Sequence, residues 1–317
     1  MPCLKLLIAL SLSLPAYGKY KANWGYHGQT GPEYWADMYP ESDCGGRSQS
    51  PIEFSSMDTE YRSFDPLVLT NLVPVNEVQM YLENNGHTLM VHLNGSEEIS
   101  GADLGNTYIA EQFHFHWGSD DSVGSEHLID GRQYPAELHI VHYDIDRFSS
   151  INTAITQPRG LAVLGFFFEI DGNNTNAAFQ SLCDLIEHVP YEGNATVFRR
   201  PFNVMTLLPK NLDDYFRYDG SLTTPDCHES VVWTVFNEPI KVSQDQIQAF
   251  RHVYERNNYH ETLDPVLLVD NHRPVQPIYD RIVYRSFANG GASCPCVVKA
   301  YTFLSAMLAI YLMLESA

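Results

Sequence analysis

Apolar and polar residues alternate in short runs along most of this chain. Residues 64–69, 88–93 and 231–236 are brief, rich in β-branched and aromatic side chains, and bounded by turn formers. Runs of that length with a period of two predict strands. A period of 3.6 appears in only two places. Over residues 176–188 it puts Phe179, Leu182, Cys183 and Ile186 on one stripe, and over residues 243–256 Ser243 stands where a cap belongs. No linker, repeat or low-complexity run interrupts the body from about Trp24 to Tyr284. The pattern therefore predicts one mostly β domain with a few peripheral helices.

The two ends break this pattern. Residues 3–14 form an all-round apolar run with one lysine, followed by Pro15-Ala16-Tyr17-Gly18. That is the form of a secretory signal cleaved after Gly18, and it is too short to span a bilayer. Residues 300–314 are apolar again and have no basic cluster behind them. Upstream lies Asn289-Gly290-Gly291-Ala292-Ser293, a small-residue cluster at the spacing of a glycolipid (GPI) anchor signal. A short single-pass anchor or a buried terminal helix is the alternative. The expected layout is a signal at 1–18, a domain at 19–290 and an anchor propeptide at 291–317, with the mature protein on the extracellular face of the plasma membrane.

Six cysteines are encoded. Cys3 leaves with the signal, and Cys294 and Cys296 leave with the tail. Cys183 sits on the apolar stripe as a buried thiol, so Cys44 and Cys227 are expected to pair in an oxidising compartment. Sequons at Asn94, Asn173 and Asn194 suit the same compartment. Across all 317 residues, 19 basic against 39 acidic side chains give a net charge of −20, which disfavours binding to nucleic acid or anionic membrane surfaces.

The chemistry lies in two predicted strands. In Gln112-Phe113-His114-Phe115-His116-Trp117, alternation places Gln112, His114 and His116 on one face and the aromatics on the other. The two imidazoles stand roughly 7 Å apart along the strand. In Glu137-Leu138-His139-Ile140-Val141-His142, Glu137, His139 and Val141 share a face and His142 takes the opposite one. If the strands are neighbours, three imidazoles converge, which is the ligand set of a catalytic zinc site with an open position. Gln112 and Glu137 lie on the ligand faces and could each fix a ligand's tautomer. A cupin-type jelly roll also uses His-x-His, but the Glu expected soon afterwards is replaced by Gly118-Ser119-Asp120-Asp121.

These segments resemble the α-class carbonic anhydrases. The likeness covers roughly residues 24–284 and rests on Trp24-Gly25-Tyr26, Gly46 through Ile52, Asn85-Gly86-His87, Gln112 through Gly118, Gly124-Ser125-Glu126-His127, Glu137-Leu138-His139, Gly220 through Pro225 and Asp270 through Pro274. It implies a twisted, mainly antiparallel sheet of about ten strands with a zinc ion at the floor of a cleft. It further implies that His114, His116 and His139 bind Zn2+, with Gln112, Glu137 and the backbone of Asn271 behind them. Thr223 then accepts a hydrogen bond from a zinc-bound hydroxide and donates its own hydroxyl hydrogen to Glu126. Val141, Val163, Leu222, Thr224, Val231 and Trp233 form the substrate pocket, His87 shuttles protons, and Tyr26 and Asn85 belong to the water network. The implied activity is the reversible hydration of carbon dioxide by water to bicarbonate and a proton. Alternatives are an acatalytic carbonic-anhydrase-like binding domain, which usually lacks a ligand histidine, and a generic zinc hydrolase or esterase. Two positions depart from the family: Met90 stands where many relatives carry a polar residue, and Asp226 where a second proline is usual.

Overall fold

Seven strands make the centre of the molecule: β1 (Tyr81–Asn84), β2 (Leu89–His92), β3 (Tyr108–Trp117), β4 (Ala136–Asp144), β5 (Leu161–Ile170), β6 (Tyr215–Gly220) and β7 (Val231–Val242). The computed structural model describes residues 24–71, 80–93, 97–198, 203–255 and 265–288. The signal segment, the C-terminal tail and Asn94 lie outside these residues. The chain divides after Phe287 into two compact units, and the features below belong to the first.

The central strands run β1-β2-β3-β4-β5-β7-β6 across the sheet. Ala195–Val197 extends the β1 end, while Tyr284–Arg285 and Glu60–Tyr61 extend the β6 end. Leu67–Asn71 pairs with Glu97–Gly101, which pairs in turn with β3. The sheet has twelve strands among the described residues, two more than the family resemblance implied. Pairing is antiparallel except between β5 and β7 and between Tyr284–Arg285 and Glu60–Tyr61. A parallel pair needs a long crossover, and residues 171–230 provide it. The predicted strand at 231–236 continues to Val242, and the β5–β7 register shifts after Phe236. Pro239, which has no N–H to give a ladder, falls inside that irregular stretch.

Alternation puts the two faces of the sheet to different uses. Phe113, Phe115 and Trp117 of β3 join Leu138 and Ile140 of β4 and Leu164, Phe166 and Phe168 of β5 in the larger core. Two helices cover that face, α1 (Ala177–Ile186) and α2 (Gln244–Phe250). Helix α1 buries Phe179, Leu182, Cys183 and Ile186, the stripe read from the sequence, at about 2 kcal/mol for each large apolar side chain. Asn176 caps α1, and Ser243 with Gln246 forms a capping box on α2. The Gln246 amide also donates to the Asn176 carbonyl, which ties the two helix starts together.

Helix α2 ends at Phe250, short of the predicted residue 256. Arg251 leaves the helical path because its guanidinium donates to the Gly118 carbonyl and to Asp121, each at 2.8 Å. The segment beyond is drawn into a bridge between Tyr254 and Leu267.

Cys44 and Cys227 are bonded across a separation of 183 residues, and Cys183 is a free, buried thiol pushed up to about 12 by its burial. Closing so long a loop restricts the unfolded chain by on the order of 5 kcal/mol.

His142 faces the larger core, as the alternation required, and its ring Nδ1 lies 3.0 Å from the Ile140 carbonyl. Burial lowers its pKa from 6.5 to about 4. The neutral ring therefore favours the folded state at pH above 6.5, and that contribution fades as pH falls towards 4. We expect wild type to lose about 2 kcal/mol more unfolding free energy between pH 7 and pH 5 than His142→Gln, measured by urea titration. Equal losses in the two proteins would contradict this account.

Candidate metal centre

Strands β3 and β4 pair so that His114 lies directly across from His139, and His116 across from Glu137. The three imidazoles come together on the face opposite the larger core, with ring centroids 4.7 to 5.2 Å apart. Each ring has one nitrogen against an oxygen acceptor. His114 Nδ1 is 2.9 Å from Gln112 Oε1, His116 Nδ1 is 2.7 Å from the Asn271 carbonyl, and His139 Nε2 is 2.8 Å from Glu137 Oε1. A carbonyl or carboxylate there requires the N–H on that nitrogen, so the lone pairs sit on His114 Nε2, His116 Nε2 and His139 Nδ1.

Those ligand atoms lie within 4.8 Å of one another. His116 Nε2 is buried and has no hydrogen-bond partner. Burial drives all three imidazoles below their ordinary value, furthest for His114 and His116, and their mutual repulsion adds to this for those two. Three neutral nitrogens, one of them orphaned, suit a zinc ion. His127, Glu137 and His139 also cluster. Their atoms are already engaged, because Glu137 Oε1 takes His127 Nδ1 at 2.7 Å as well as His139 Nε2.

Glu137 lies on the site face, buried, and Gly165 of β5 is paired with His139. A Cβ on Gly165 would stand 3.2 Å from Glu137 Oε1 and 3.2 Å from Val235, so a side chain there would press the carboxylate back by a few tenths of an ångström. Burial opposes ionisation of Glu137. His127 and His139 outweigh it, and the backbone N–H groups of Glu126 and His127 donate to Oε2 at 2.8 Å; its pKa is held well below the usual carboxylate range.

Thr223 is buried and hydrogen-bonded to Glu126. The Arg273 N–H donates to Glu126 Oε1 at 2.8 Å, and Glu126 Oε2 lies 3.4 Å from His116 Nε2. Burial lifts Glu126 well above the usual carboxylate range, against the pull of those two donors. Val141, Val163 and Trp233 occupy a single rung across β4, β5 and β7, and Val231 and Leu222 join them in a second apolar cluster. The Trp233 ring is 4.8 Å from that of His139, so the cluster meets the imidazoles directly. Thr224 is half-buried in the same loop as Thr223.

His87 follows a turn that needs Gly86 at φ 84°, where a side chain would be strained. Its ring stacks on Trp24 at 3.7 Å, and burial lowers it to about 4. Asn271 ties this turn to the metal ligands, donating from Nδ2 to the His87 carbonyl while its own carbonyl serves His116. Asn85 Oδ1 accepts from the His87 and Thr88 N–H groups, so that oxygen shapes the turn. Tyr26 is buried with Trp35 and the disulfide. Of the sequons, Asn173 is exposed and Asn194 is half-buried.

Sequence reasoning assigned no role to His127, Gly165 or Arg273. His127 Nε2 reaches the Tyr218 hydroxyl at 2.6 Å, which donates to Ser50, and Ser50 accepts from the N–H of Ser221 at the base of the Thr223 loop. Arg273 donates to Gln49 Oε1 and to the carbonyls of Ser50 and Cys44. His127 and Arg273 lie in irregular segments, where no periodicity marks a facing side chain.

A mostly β domain carries three converging neutral imidazoles, backed by a hydroxyl–carboxylate pair and an apolar patch, and that group could hold a metal ion. Residues 30–287 match the model of the eukaryotic-type carbonic anhydrases. The chain is 38% identical over 272 residues to human (Homo sapiens) carbonic anhydrase 12, covering 84% of this chain and 74% of that one. It is 37% identical over 268 residues to human carbonic anhydrase 7, covering 83% and 97%. To carbonic anhydrase 3 of Sus scrofa it is 39% identical over 269 residues, covering 83% and 98%. The chain belongs to the eukaryotic-type carbonic anhydrase family.

Gly165→Ala tests whether the backing of the ligands matters. By displacing Glu137 it should weaken zinc binding about tenfold in competition with a chelator. Unchanged affinity would mean that Glu137 does not hold His139 for a metal.

Proposed function

We propose that this protein binds one zinc ion through His114, His116 and His139 and catalyses the reversible hydration of carbon dioxide to bicarbonate and a proton. The observation that carries this reading is the set of three neutral nitrogens, each oriented by a separate acceptor, with the Thr223–Glu126 pair reaching His116 and the apolar rung reaching His139. When bound, zinc supplies the charge that makes a water molecule acidic near neutrality, an effect for which carbonic anhydrase is itself the reference example.

The chain's own residues do the rest. Positive charge held by His114, His116 and His139 would favour the ionised form of Glu126, to which the Thr223 hydroxyl would then donate. The Thr223 oxygen is thereby left as an acceptor towards the site, where it orients the attacking water's remaining hydrogen and selects a lone pair for the substrate. Carbon dioxide has no dipole, and Val141, Val163, Leu222, Val231 and Trp233 offer it an apolar wall that competing water does not wet. Thr224 lies beside that wall. The released proton leaves by way of His87 after its ring turns from Trp24 into water, where an imidazole titrates near neutrality.

For location, we propose secretion and a glycolipid anchor, supported by the apolar segments at both ends and by the Cys44–Cys227 disulfide. No helix among the described residues is long and apolar enough to cross a membrane. The acidic surface has no role that the site explains.

Chelation should abolish carbon dioxide hydration and added zinc should restore it, with one zinc per chain by elemental analysis. His116→Ala should lose both zinc and activity, and an active, metal-replete His116→Ala protein would refute the ligand set. Treatment of expressing cells with a phosphatidylinositol-specific phospholipase should release the protein. A peptide from residues 300–314 recovered from mature surface protein would show a retained span instead.

A further inference from the structure

The site face of the sheet carries a second group of titratable side chains, further along the strands from the metal ligands. On β2, Met90 is paired with His114, and His92 is paired with Gln112 on β3 and with Tyr81 on β1. His92 therefore lies on the same face as the ligands, one pleat or about 7 Å beyond the Met90–His114 rung. Its ring stacks on Tyr81 at 4.2 Å, and its Nε2 is 3.2 Å from Glu83 Oε2. Glu111 is the extra residue of a bulge in β3, between the positions paired with His142 and Val141; burial raises its carboxyl, and the nearby His92 pulls it the other way. The groups facing His92 are thus Tyr81 and Glu83 from β1 and Glu111 and Gln112 from β3. The His92 side chain is 14% exposed and that of Glu83 20%, so the pair has access to water.

This arrangement is built for a proton. The Glu83 carboxylate gives the His92 ring an acceptor on one nitrogen, and the ring's exposure gives the pair a way out to water. His87 and His92 stand on either side of the apolar Met90. In the stacked position His87 is a poor acceptor at neutral pH, which leaves part of the proton export to be carried elsewhere.

We infer that His92, held by Glu83, is a second proton-transfer residue for carbon dioxide hydration. This rests on the catalytic function proposed above. For each carbon dioxide and water converted to bicarbonate, the one proton released passes through water in the cleft to a ring nitrogen lone pair of His92. The imidazolium so formed then gives that proton to a buffer base, and the neutral ring is restored.

The test is stopped-flow carbon dioxide hydration by zinc-loaded full-length protein in weak buffer, with wild type, His87→Ala, His92→Gln and the double variant. His87→Ala should keep measurable turnover, and the double variant should fall about tenfold further in kcat. Throughout the series kcat/KM should stay within about twofold, because the attack on carbon dioxide does not use either ring. Imidazole at high concentration should restore kcat in the double variant, an effect that a merely structural loss would not allow. In the His87→Ala background, Glu83→Gln should also lower kcat while leaving zinc content unchanged. A double variant whose kcat equals that of His87→Ala overturns the assignment of His92. A zinc-loaded wild type that hydrates no carbon dioxide overturns the proposed function, and the relay with it.

Discussion

A one-residue slip in the pairing of β3 with β4 would turn His139 to the aromatic core and bring Leu138 or Ile140 to the metal centre. Side chains in a strand alternate with a period of two, so register decides the whole of each face at once. The observed register is held from the other side of the sheet. Phe113, Phe115 and Trp117 can be buried under α1 and α2 only when Gln112, His114 and His116 point the other way. Hydrophobic burial on one face thus sets the positions of the polar groups on the other. That burial is the larger contribution to placing them, which is why three neutral rings, one with an orphaned nitrogen, can be tolerated in the interior.

A second set of constraints turns three histidines into a directed site. Gln112, the Asn271 carbonyl and Glu137 each take the N–H of a different ligand, and these acceptors come from β3, an irregular segment near the C-terminal end and β4. Glu137 carries the largest share, since the same carboxylate engages His127 and two backbone N–H groups. Through His127, Tyr218 and Ser50 it is linked to the loop that carries Thr223. Buried networks of this kind are costly when one member is missing, which makes Gly165 and Arg273 part of the site although neither touches the ligand nitrogens. The disulfide joins the Thr223 loop to the segment before Gln49, so the loop is held covalently as well as by hydrogen bonds.

Proton traffic imposes a different requirement from metal binding. The three candidate ligands suit a metal because they are neutral and largely shielded from water, whereas an exporting group must meet water and change charge. His87 sits at the boundary, and its contact with Trp24 draws it towards the dry side. His92, with Glu83 beside it, lies on the wet side of the same sheet face.

Local periodicity and composition determined a good deal. The face taken by His114, His116 and His139, the opposite orientation of His142, the buried stripe of α1 and the cap at Ser243 all follow from spacing, because strands and helices repeat regularly over a few residues. The pairing of Cys44 with Cys227 followed from compartment and elimination. Other features arise only when distant segments meet. The end of α2 at Phe250 depends on Arg251 finding Gly118 and Asp121, more than a hundred residues away. The roles of Gly165, His127 and Arg273 depend on which carboxylate or carbonyl lies opposite, and those partners come from other strands and from loops without periodicity. The grouping of His92 with Glu83 and Glu111 needs three strands and a bulge. A pattern along one strand specifies which way a side chain points, and only the packed sheet decides what it meets there.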